Sequence, residues 1–397
     1  MRISTNTIYD NGVARMGELQ TGLSKTQQQV STGKRLITPS DDPVASARAL
    51  EVTNSQEINA KFAINRRSAM DALSMTEGAL QGVTHTLQDI KTLIVQAGNG
   101  ALTNSDRQFI ATELQGRFDE LLGLANTRDG VGNFIFAGYQ NTTEPFAASA
   151  TGASYSGDQG QFKLQVHNGR QLEVNQNGSE VFQQIGSSKT FSTGLGTPAT
   201  GSISKATVFD ADQVTGSGYN ITLDATGTNY TITTNATPAV TVATAPYTSG
   251  QAIQVEGLEV TITGASANSV YTVRPTTTQS VFTTIKELIG VLQTPVSSAA
   301  DKTKYNSGLS IANGNIDKAL DHVLTARAGI GASMKEVESL DNLGADLNIQ
   351  YAKTLSDLQD LDYVTAITDL MKQQTALQAS QQSFMKVTSL SLFDFLR

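Results

Sequence analysis

The chain has 397 residues, 16% of them charged, and it carries a formal net charge of −8 with a pI near 5.0. An acidic chain without a basic patch is not expected to bind nucleic acid, and no apolar run approaches the roughly 20 residues that span a membrane. Cysteine is absent, which excludes disulfides and thiolate metal sites. The absence of cysteine often reflects chance or a reducing cytosol, and the more specific interpretation is a chain that must stay free of cross-links while it is exported unfolded. The N-terminus lacks the apolar core of a secretory signal.

The first predicted element is a helix over residues 5–32 that carries one narrow apolar stripe. Most of its members recur every seven positions, and the stripe consists of Tyr9, Met16, Leu19, Leu23 and Val30. A narrow stripe flanked by polar residues is typical of a coiled coil rather than of a globular core. We therefore predict that these residues form an assembly interface. The alternative is that they are the core of an ordinary bundle.

A break follows in the segment GKRLITPSDDP. Gly33 can end the first helix, and Pro39 disfavours helical backbone at the residue before it. Asp42 followed by Pro43 is typical of an N-cap with proline at the first helical position, and Asp41 adds negative charge at the positive end of the new helix. The two aspartates could also be interpreted as paired catalytic carboxylates, but capping explains them better. We predict that Pro39, Asp41, Asp42 and Pro43 form a hinge between the two helices.

Two more helices are predicted before the middle of the chain. The second should run from Pro43 to about Ala97, with a heptad series of apolar residues that needs partner helices alongside: Leu73, Leu80, Leu87 and Ile94. The third should start at a capping box formed by Ser105 and Gln108 and end near Asn126.

The pattern changes to β structure between about residues 129 and 275. Alternating segments around Asn168-Gly169 predict a hairpin. Further short strands, separated by Gly, Ser, Thr, Asn and Pro, predict a β-sandwich or a small barrel. Because charges are sparse within residues 186–279, we expect that stretch to be a self-contained insert.

Helical patterns return over residues 280–294 and again from about Ser310. The last helix repeats the heptad stripe of the first, and its predicted interface residues are Tyr363, Leu370, Leu377, Phe384 and Leu390. Isolated helices are marginal in water, so we expect these helices to become ordered when neighbouring subunits cover their stripes. The expected fold class is α+β: a long antiparallel helical bundle or coiled coil formed by both chain ends, with an inserted all-β middle region.

No motif for catalysis or for a cofactor is recognisable in the sequence. The histidines His85, His167 and His322 are isolated, and neither a P-loop nor a GxSxG or HExxH motif occurs. We therefore predict no enzymatic activity, no cofactor and no metal site. A secreted cell-wall hydrolase or protease with its active site in the insert is an alternative, which the insert's lack of His, Cys and a paired acid disfavours.

Several segments resemble the bacterial flagellin family in their order and spacing. The two terminal signatures of that family are matched by STGKRLITPSDDPVASARAL (31–50) and by residues 355–397. The family's hook-associated protein 3 branch is matched more closely than flagellin, through the segments GNFIFAGYQNTTEPF (132–146), YSGDQG (155–160) and ARAGIGAS (326–333). The resemblance covers about residues 1–185 and 280–397 and leaves the insert undetermined.

The resemblance implies an extracellular structural protein at the hook–filament junction of the bacterial flagellum, which leaves the cell through the flagellum-specific export apparatus. The implied partners are further copies of the chain in a ring, hook-associated protein 1, flagellin, and a cytoplasmic export chaperone that holds the C-terminal helix. Three layers are implied: an inner tube (1–40 with 358–397), a helical bundle (41–140 with 280–357, carrying a hairpin at 155–185) and an outer β domain (186–279). The predicted hinge would then be an interlayer hinge between the inner tube and the helical bundle. The alternative within the family is flagellin, the filament subunit itself.

Overall fold

The helices come from both ends of the chain. The computed structural model describes residues 5–187 and 189–394, with side chains at residues 7, 9–187 and 189–386. Within these ranges the helices are α1 (Thr5–Thr32), α2 (Pro43–Ala97), α3 (Asn104–Ala125), α4 (Gly178–Phe182), α5 (Val281–Gln293), α6 (Ala299–Gln359) and α7 (Tyr363–Asp394). Both α1 and α2 begin and end at the predicted residues. None of the helices described has the length and apolarity that crossing a membrane requires.

The strands lie between α3 and α5, and the described pairs are all antiparallel. They are β1 (Phe146–Ser149), β2 (Gly152–Tyr155), β3 (Lys163–His167), β4 (Arg170–Glu173), β5 (Ile185–Gly186), β6 (Phe191–Leu195), β7 (Ser202–Ile203), β8 (Thr207–Val208), β9 (Tyr219–Leu223), β10 (Asn229–Thr234), β11 (Thr241–Pro246), β12 (Ala252–Val255), β13 (Leu258–Thr263), β14 (Val270–Pro275) and β15 (Thr278–Gln279). The hairpin predicted at Asn168-Gly169 is the β3–β4 pair.

Two sheets of the insert enclose one apolar core. The five-stranded sheet has the order β11-β10-β9-β14-β6, and the four-stranded sheet joins β12, β13, β7 and β8. Alternate residues of β9 and β13 are buried, as expected for strands with one covered face. Both sheets contribute to the core, which includes Tyr219, Ile221, Val260, Ile262 and Tyr271. The insert is therefore a β-sandwich, and the α+β fold class with helices at both ends is confirmed.

The chain divides into two compact units, here called the terminal unit (residues 1–65 and 339–397) and the central unit (residues 66–338). The predicted division into three layers stays a prediction. In the central unit the heptad series of α2 is buried, and its members are Leu73, Leu80, Leu87 and Ile94. Phe118 of α3 packs edge-on against Phe282 of α5, with ring centroids 5.8 Å apart. The central unit thus has a complete apolar core of its own.

The start of α3 differs from the predicted one. Thr103 and Asp106 form the capping box, because the Thr103 hydroxyl accepts a hydrogen bond from the Asp106 amide at 3.2 Å and the Thr103 amide donates to Asp106 Oδ2 at 2.9 Å. The box predicted at Ser105 and Gln108 is wrong. A charged carboxylate that accepts from both the amide and the hydroxyl of Thr103 makes the stronger cap.

The long helix α6 also begins earlier than predicted, at Ala299 rather than near Ser310. The Asp301 amide donates to Ser298 Oγ at 3.1 Å, and the Ser298 amide donates to Asp301 Oδ2 at 2.8 Å. This reciprocal pair caps the start of the helix. The residues around it are polar, so no apolar periodicity predicts a helix there.

The central segments that resemble hook-associated protein 3 pack on each other. Asp158 Oδ1 accepts a hydrogen bond from the Tyr139 amide at 2.8 Å, and the Tyr155 hydroxyl lies 2.8 Å from the Asp158 carbonyl oxygen. Gly138 has a φ of +70°, and a Cβ there would collide with Asp158. The segments 132–146 and 155–160 are thus joined to each other by hydrogen bonds within the central unit.

Candidate assembly surface

The terminal unit pairs the first helix with the last, α1 with α7. The ring centroids of Tyr9 and Phe384 are 5.1 Å apart. Further along, Thr26 Oγ1 donates a hydrogen bond to Gln373 Oε1 at 3.1 Å. Residue numbers rise along α1 as they fall along α7, so the two helices run antiparallel.

The predicted interface residues are incompletely covered in the single chain. Tyr9 and Tyr363 remain 52% and 49% exposed. The other described members are partly buried, and they are Met16, Leu19, Leu23, Val30, Leu370, Leu377 and Phe384. Leu390 lies in α7, but its side chain falls outside the described residues. Tyr9 and Phe384, one from each stripe, are in contact. That the ten predicted interface residues act in assembly stays a prediction.

Small and polar residues complete the contact between α1 and α7, and the stripe prediction did not include them. A Cβ at Gly12 would lie 2.8 Å from Phe384 Cδ2, so the absence of a side chain allows the ring to approach. Thr26 is buried, and its Oγ1 also lies 3.1 Å from the Gly22 carbonyl oxygen, so the two acceptors share its single proton. The presence of glycine and threonine at heptad-compatible positions is the sequence signal that could have indicated a close polar seam.

Two of the predicted hinge residues, Asp41 and Asp42, accept hydrogen bonds in the turn between α1 and α2, while Pro39 lies within that turn and Pro43 is the first residue of α2. Their role as a hinge stays a prediction. Asp41 Oδ2 accepts hydrogen bonds from the Ile37 and Thr38 amides, both at 3.0 Å, while Asp41 Oδ1 lies 2.6 Å from Lys25 Nζ. The hydrogen bond from Lys25, followed by those from the two amides, holds the pKa of Asp41 well below its usual value. Asp42 Oδ1 accepts from the Ala45 amide at 3.0 Å and so caps α2.

The same turn is bonded to the turn between α6 and α7. The Arg35 amide donates to the Gln359 carbonyl oxygen at 2.7 Å, and Arg35 Nη2 donates to the Leu358 carbonyl oxygen at 2.7 Å. In return, the Leu361 amide donates to the Gly33 carbonyl oxygen at 3.0 Å. No local sequence pattern predicts this contact, because its partners lie more than 300 residues apart. The two turns form one structure, here called the double corner (residues 33–43 and 358–363).

Large apolar side chains of the terminal unit remain exposed. On α7 a second set of apolar side chains, here called the second stripe, is exposed in the single chain: Val364 is 79% exposed and Met371 is 62% exposed, and Ile367 and Met385 belong to the same set. Other exposed large side chains are Val44, Leu50, Ile58 and Ile64 on α2 and Leu343 and Ile349 on α6.

The described side chains that are buried in the terminal unit are small or polar, namely Thr26, Ala45, Ala49, Asn59 and Ala366. Asn59 Nδ2, for example, donates to the Gly344 carbonyl oxygen at 2.7 Å. Among the described residues, no group of three or more His, Cys, Asp or Glu could hold a metal ion. The described part of the terminal unit therefore exposes apolar helix surface.

Comparison with known proteins locates this arrangement in a family. The N-terminal helical region of bacterial flagellin matches residues 3–141, and its C-terminal helical region matches residues 314–396. Over its full length the chain is 31% identical to flagellar hook-associated protein 3 of Escherichia coli, across 99% of both proteins. The chain belongs to the hook-associated protein 3 family.

The chain is similar to hook-associated protein 3 over its full length, whereas a phase 1 flagellin matches only part of it. The hook-associated protein 3 of Salmonella typhimurium is 29% identical over 100% of both chains. The phase 1 flagellin of Salmonella naestved is also 29% identical, but over only 31% of this chain and 25% of its own. The resemblance to hook-associated protein 3 stated for about residues 1–185 and 280–397 is therefore confirmed. The similarity also extends through the insert, which the sequence left undetermined and whose residues 195–275 match a D2-like domain of flagellar hook-associated protein 1.

Solved structures give the same result for the fold. A hook-associated protein 3 from Legionella pneumophila is 28% identical with a TM-score of 0.58, covering 77% of this chain and 98% of that one. The flagellar junction protein FlgL from Legionella pneumophila is 28% identical with a TM-score of 0.55, covering 79% of this chain and all of that one. The chain is thus a structural protein of the flagellar junction, and the expected location in the bacterial flagellum is confirmed.

Proposed function

We propose that this chain is the adaptor between hook and filament, and that the terminal unit assembles it there. The observation that supports this most is the exposed apolar surface of the terminal unit, whose described buried side chains are small or polar. Its neighbours in the assembly are further copies of the chain in a ring, hook-associated protein 1 on the hook side and flagellin on the filament side. The Tyr9 and Phe384 stripes pair within the subunit, and the second stripe of α7 faces these neighbours.

The energy available at the second stripe is large compared with helix stability. Full burial of a Val, Ile or Met side chain contributes roughly 1.5–3 kcal/mol. Val364, Ile367, Met371 and Met385 have on average more than half of their surface left to bury, so covering them contributes about 3–7 kcal/mol per subunit. Isolated helices are marginal in water. Ordering of the terminal helices is therefore coupled to assembly.

Before export the same stripe has to be kept from aggregating. Methionine adapts its shape to different partners, and an apolar helix face is the form that a hydrophobic groove recognises. We infer that a cytoplasmic export chaperone binds α7 through Val364, Met371 and Met385. The chaperone and the assembly neighbours then compete for one surface, so that α7 is released before it assembles.

The proposal is tested with a polar variant of the second stripe, V364N together with M371Q, in a strain that lacks the natural protein. Because both side chains are exposed in the single chain, the variant should fold. Its export is measured by immunoblotting of the medium, since the same substitutions also weaken the proposed chaperone contact. We expect electron microscopy to show hooks without filaments, with flagellin secreted into the medium. The matched control is V131N, whose side chain is 84% exposed in the central unit, and it should give normal filaments. Normal junctions in the double variant would contradict the proposal.

The alternative, that the chain is the filament subunit itself, has its own test. Purified protein is added to sheared filament seeds and their length is followed by electron microscopy. A junction protein should cap or decorate the seeds without extending them. Long filaments made of this chain would favour flagellin.

A further inference from the structure

Among the residues that the structure describes, few contacts link the β-sandwich of the insert to the helices of the central unit at the joint between them. The pairing of β5 with β15, Ile185 with Gln279 and Gly186 with Thr278, connects the sandwich to the helices. Beyond this ladder, the Ala211 amide donates to Ser307 Oγ at 3.0 Å. The sandwich has its own closed core, so it does not need the helices to bury its apolar residues.

Two ion pairs bridge the joint. Lys205 on the sandwich pairs with Glu287 on α5, and Glu259 Oε1 on the sandwich lies 2.9 Å from Lys304 Nζ on α6. All four side chains are partly exposed to solvent. Pairs of this kind contribute little to stability and weaken further as salt screens them.

Between the ion pairs the joint is not filled. A half-open pocket of about 470 Å³ lies between the sandwich and the helices, with Phe191, Ala206 and Val208 on one wall and Leu288, Val291 and Ile311 on the other. Protein interiors are normally packed without voids larger than a water molecule. The facing walls therefore forgo the contacts that would fix one orientation.

We propose that the β-sandwich rocks as a rigid body about the β5–β15 ladder, and that the Lys205–Glu287 and Lys304–Glu259 pairs select the orientation seen here. The joint acts as a salt-sensitive hinge, and the pocket gives it room to move. This inference does not depend on the proposed role at the junction.

The absence of cysteine makes the motion measurable with spin labels. One label is placed on the sandwich with T241C and the other on α3 with T112C, both at exposed positions. Double electron–electron resonance on the full chain then gives the distance distribution. Between 50 mM and 1 M NaCl we expect the distribution to widen about twofold, because salt screens both ion pairs. The variant E259Q with E287Q should already show the wide distribution at 50 mM NaCl.

Two controls separate rocking from unfolding and from general salt effects. Labels at T241C and A225C lie within the sandwich, and their distribution should stay narrow in all conditions. The variant E338Q removes an exposed ion pair on α6 away from the joint and should behave as the natural chain. An unchanged width between sandwich and α3 in both high salt and the double variant would overturn the proposal. So would broadening of the pair within the sandwich, since the sandwich would then not move as a rigid body.

Discussion

The approach of Phe384 to α1 allows a sharp test of the α1–α7 pairing. At Gly12 an added Cβ would lie 2.8 Å from Phe384 Cδ2, whereas at Gly17, on the same helix, it would meet no atom within 4 Å. Glycine inside a helix costs roughly 0.5–1 kcal/mol relative to alanine. Alanine at either position should therefore strengthen the helix, but only at Gly12 does it also collide with the partner helix.

The two substitutions are expected to have opposite effects. At Gly17 the helix gain acts alone, so G17A should stabilise the α1–α7 pair by about 0.5–1 kcal/mol. At Gly12 overpacking costs roughly 1–3 kcal/mol, so G12A should destabilise the pair by about 0.5–2 kcal/mol after the helix gain is subtracted. The variants should then differ by about 1–3 kcal/mol, which is roughly a 5- to 150-fold difference in the equilibrium between paired and open helices.

Hydrogen exchange measured by mass spectrometry on the dilute full-length chain reports this equilibrium, because helices that are only partly ordered before assembly exchange at a rate set by the fraction of time they are paired. In G12A we expect faster exchange than in the natural chain in peptides from both α1 and α7. In G17A we expect slower exchange. The peptides from α7 are decisive, because α7 carries no substitution and can respond only through lost or gained pairing. If G12A protected α1 as strongly as G17A and left α7 unchanged, the packing of Phe384 on α1 would be wrong.

Three further predictions concern the double corner, the last helix and the start of α6. Replacing Pro39 and Pro43 by alanine should leave secretion intact but impair junction assembly, because the turn loses its rigidity; normal motility on soft agar would count against an interlayer hinge. Deleting residues 364–397 should abolish assembly and chaperone binding while the β-sandwich keeps its own thermal transition, and circular dichroism showing that the whole chain melts would contradict coupled ordering. Hydrogen bonds from Ser298 and then Ser297 lower the pKa of Asp301 from 3.8 to about 2, so its stabilising cap should be present above about pH 4 and lost as pH falls through 2; in D301N this part of the acid unfolding curve should disappear.

The helices near the N-terminus could be predicted because their signals are local. Gly33 ends α1, and Asp42 with Pro43 starts α2, within a few residues of each helix boundary. The heptad series of α2 identified its buried face correctly, since a helix repeats its facing residues at that spacing. The start of α6 was missed because the residues around Asp301 are polar and cap the helix without an apolar pattern.

The contacts that organise the terminal unit could not be predicted in the same way. The hydrogen bonds of Arg35 to residues 358 and 359 depend on backbone atoms, which carry no residue-specific signal. Short strands such as β7 and β8 have too few residues to show a period of two. The pocket at the joint is a property of how the sandwich and the helices meet, and no single segment of sequence encodes it.

The β5–β15 ladder also makes it possible to replace the insert. Because Gly186 lies opposite Thr278, the chain leaves the helices and returns to them at neighbouring points. A two-residue Asn-Gly turn between these positions would close an ordinary hairpin. Domains of different size, or a foreign reporter module, can therefore be spliced in at this place while the helical scaffold keeps its connections.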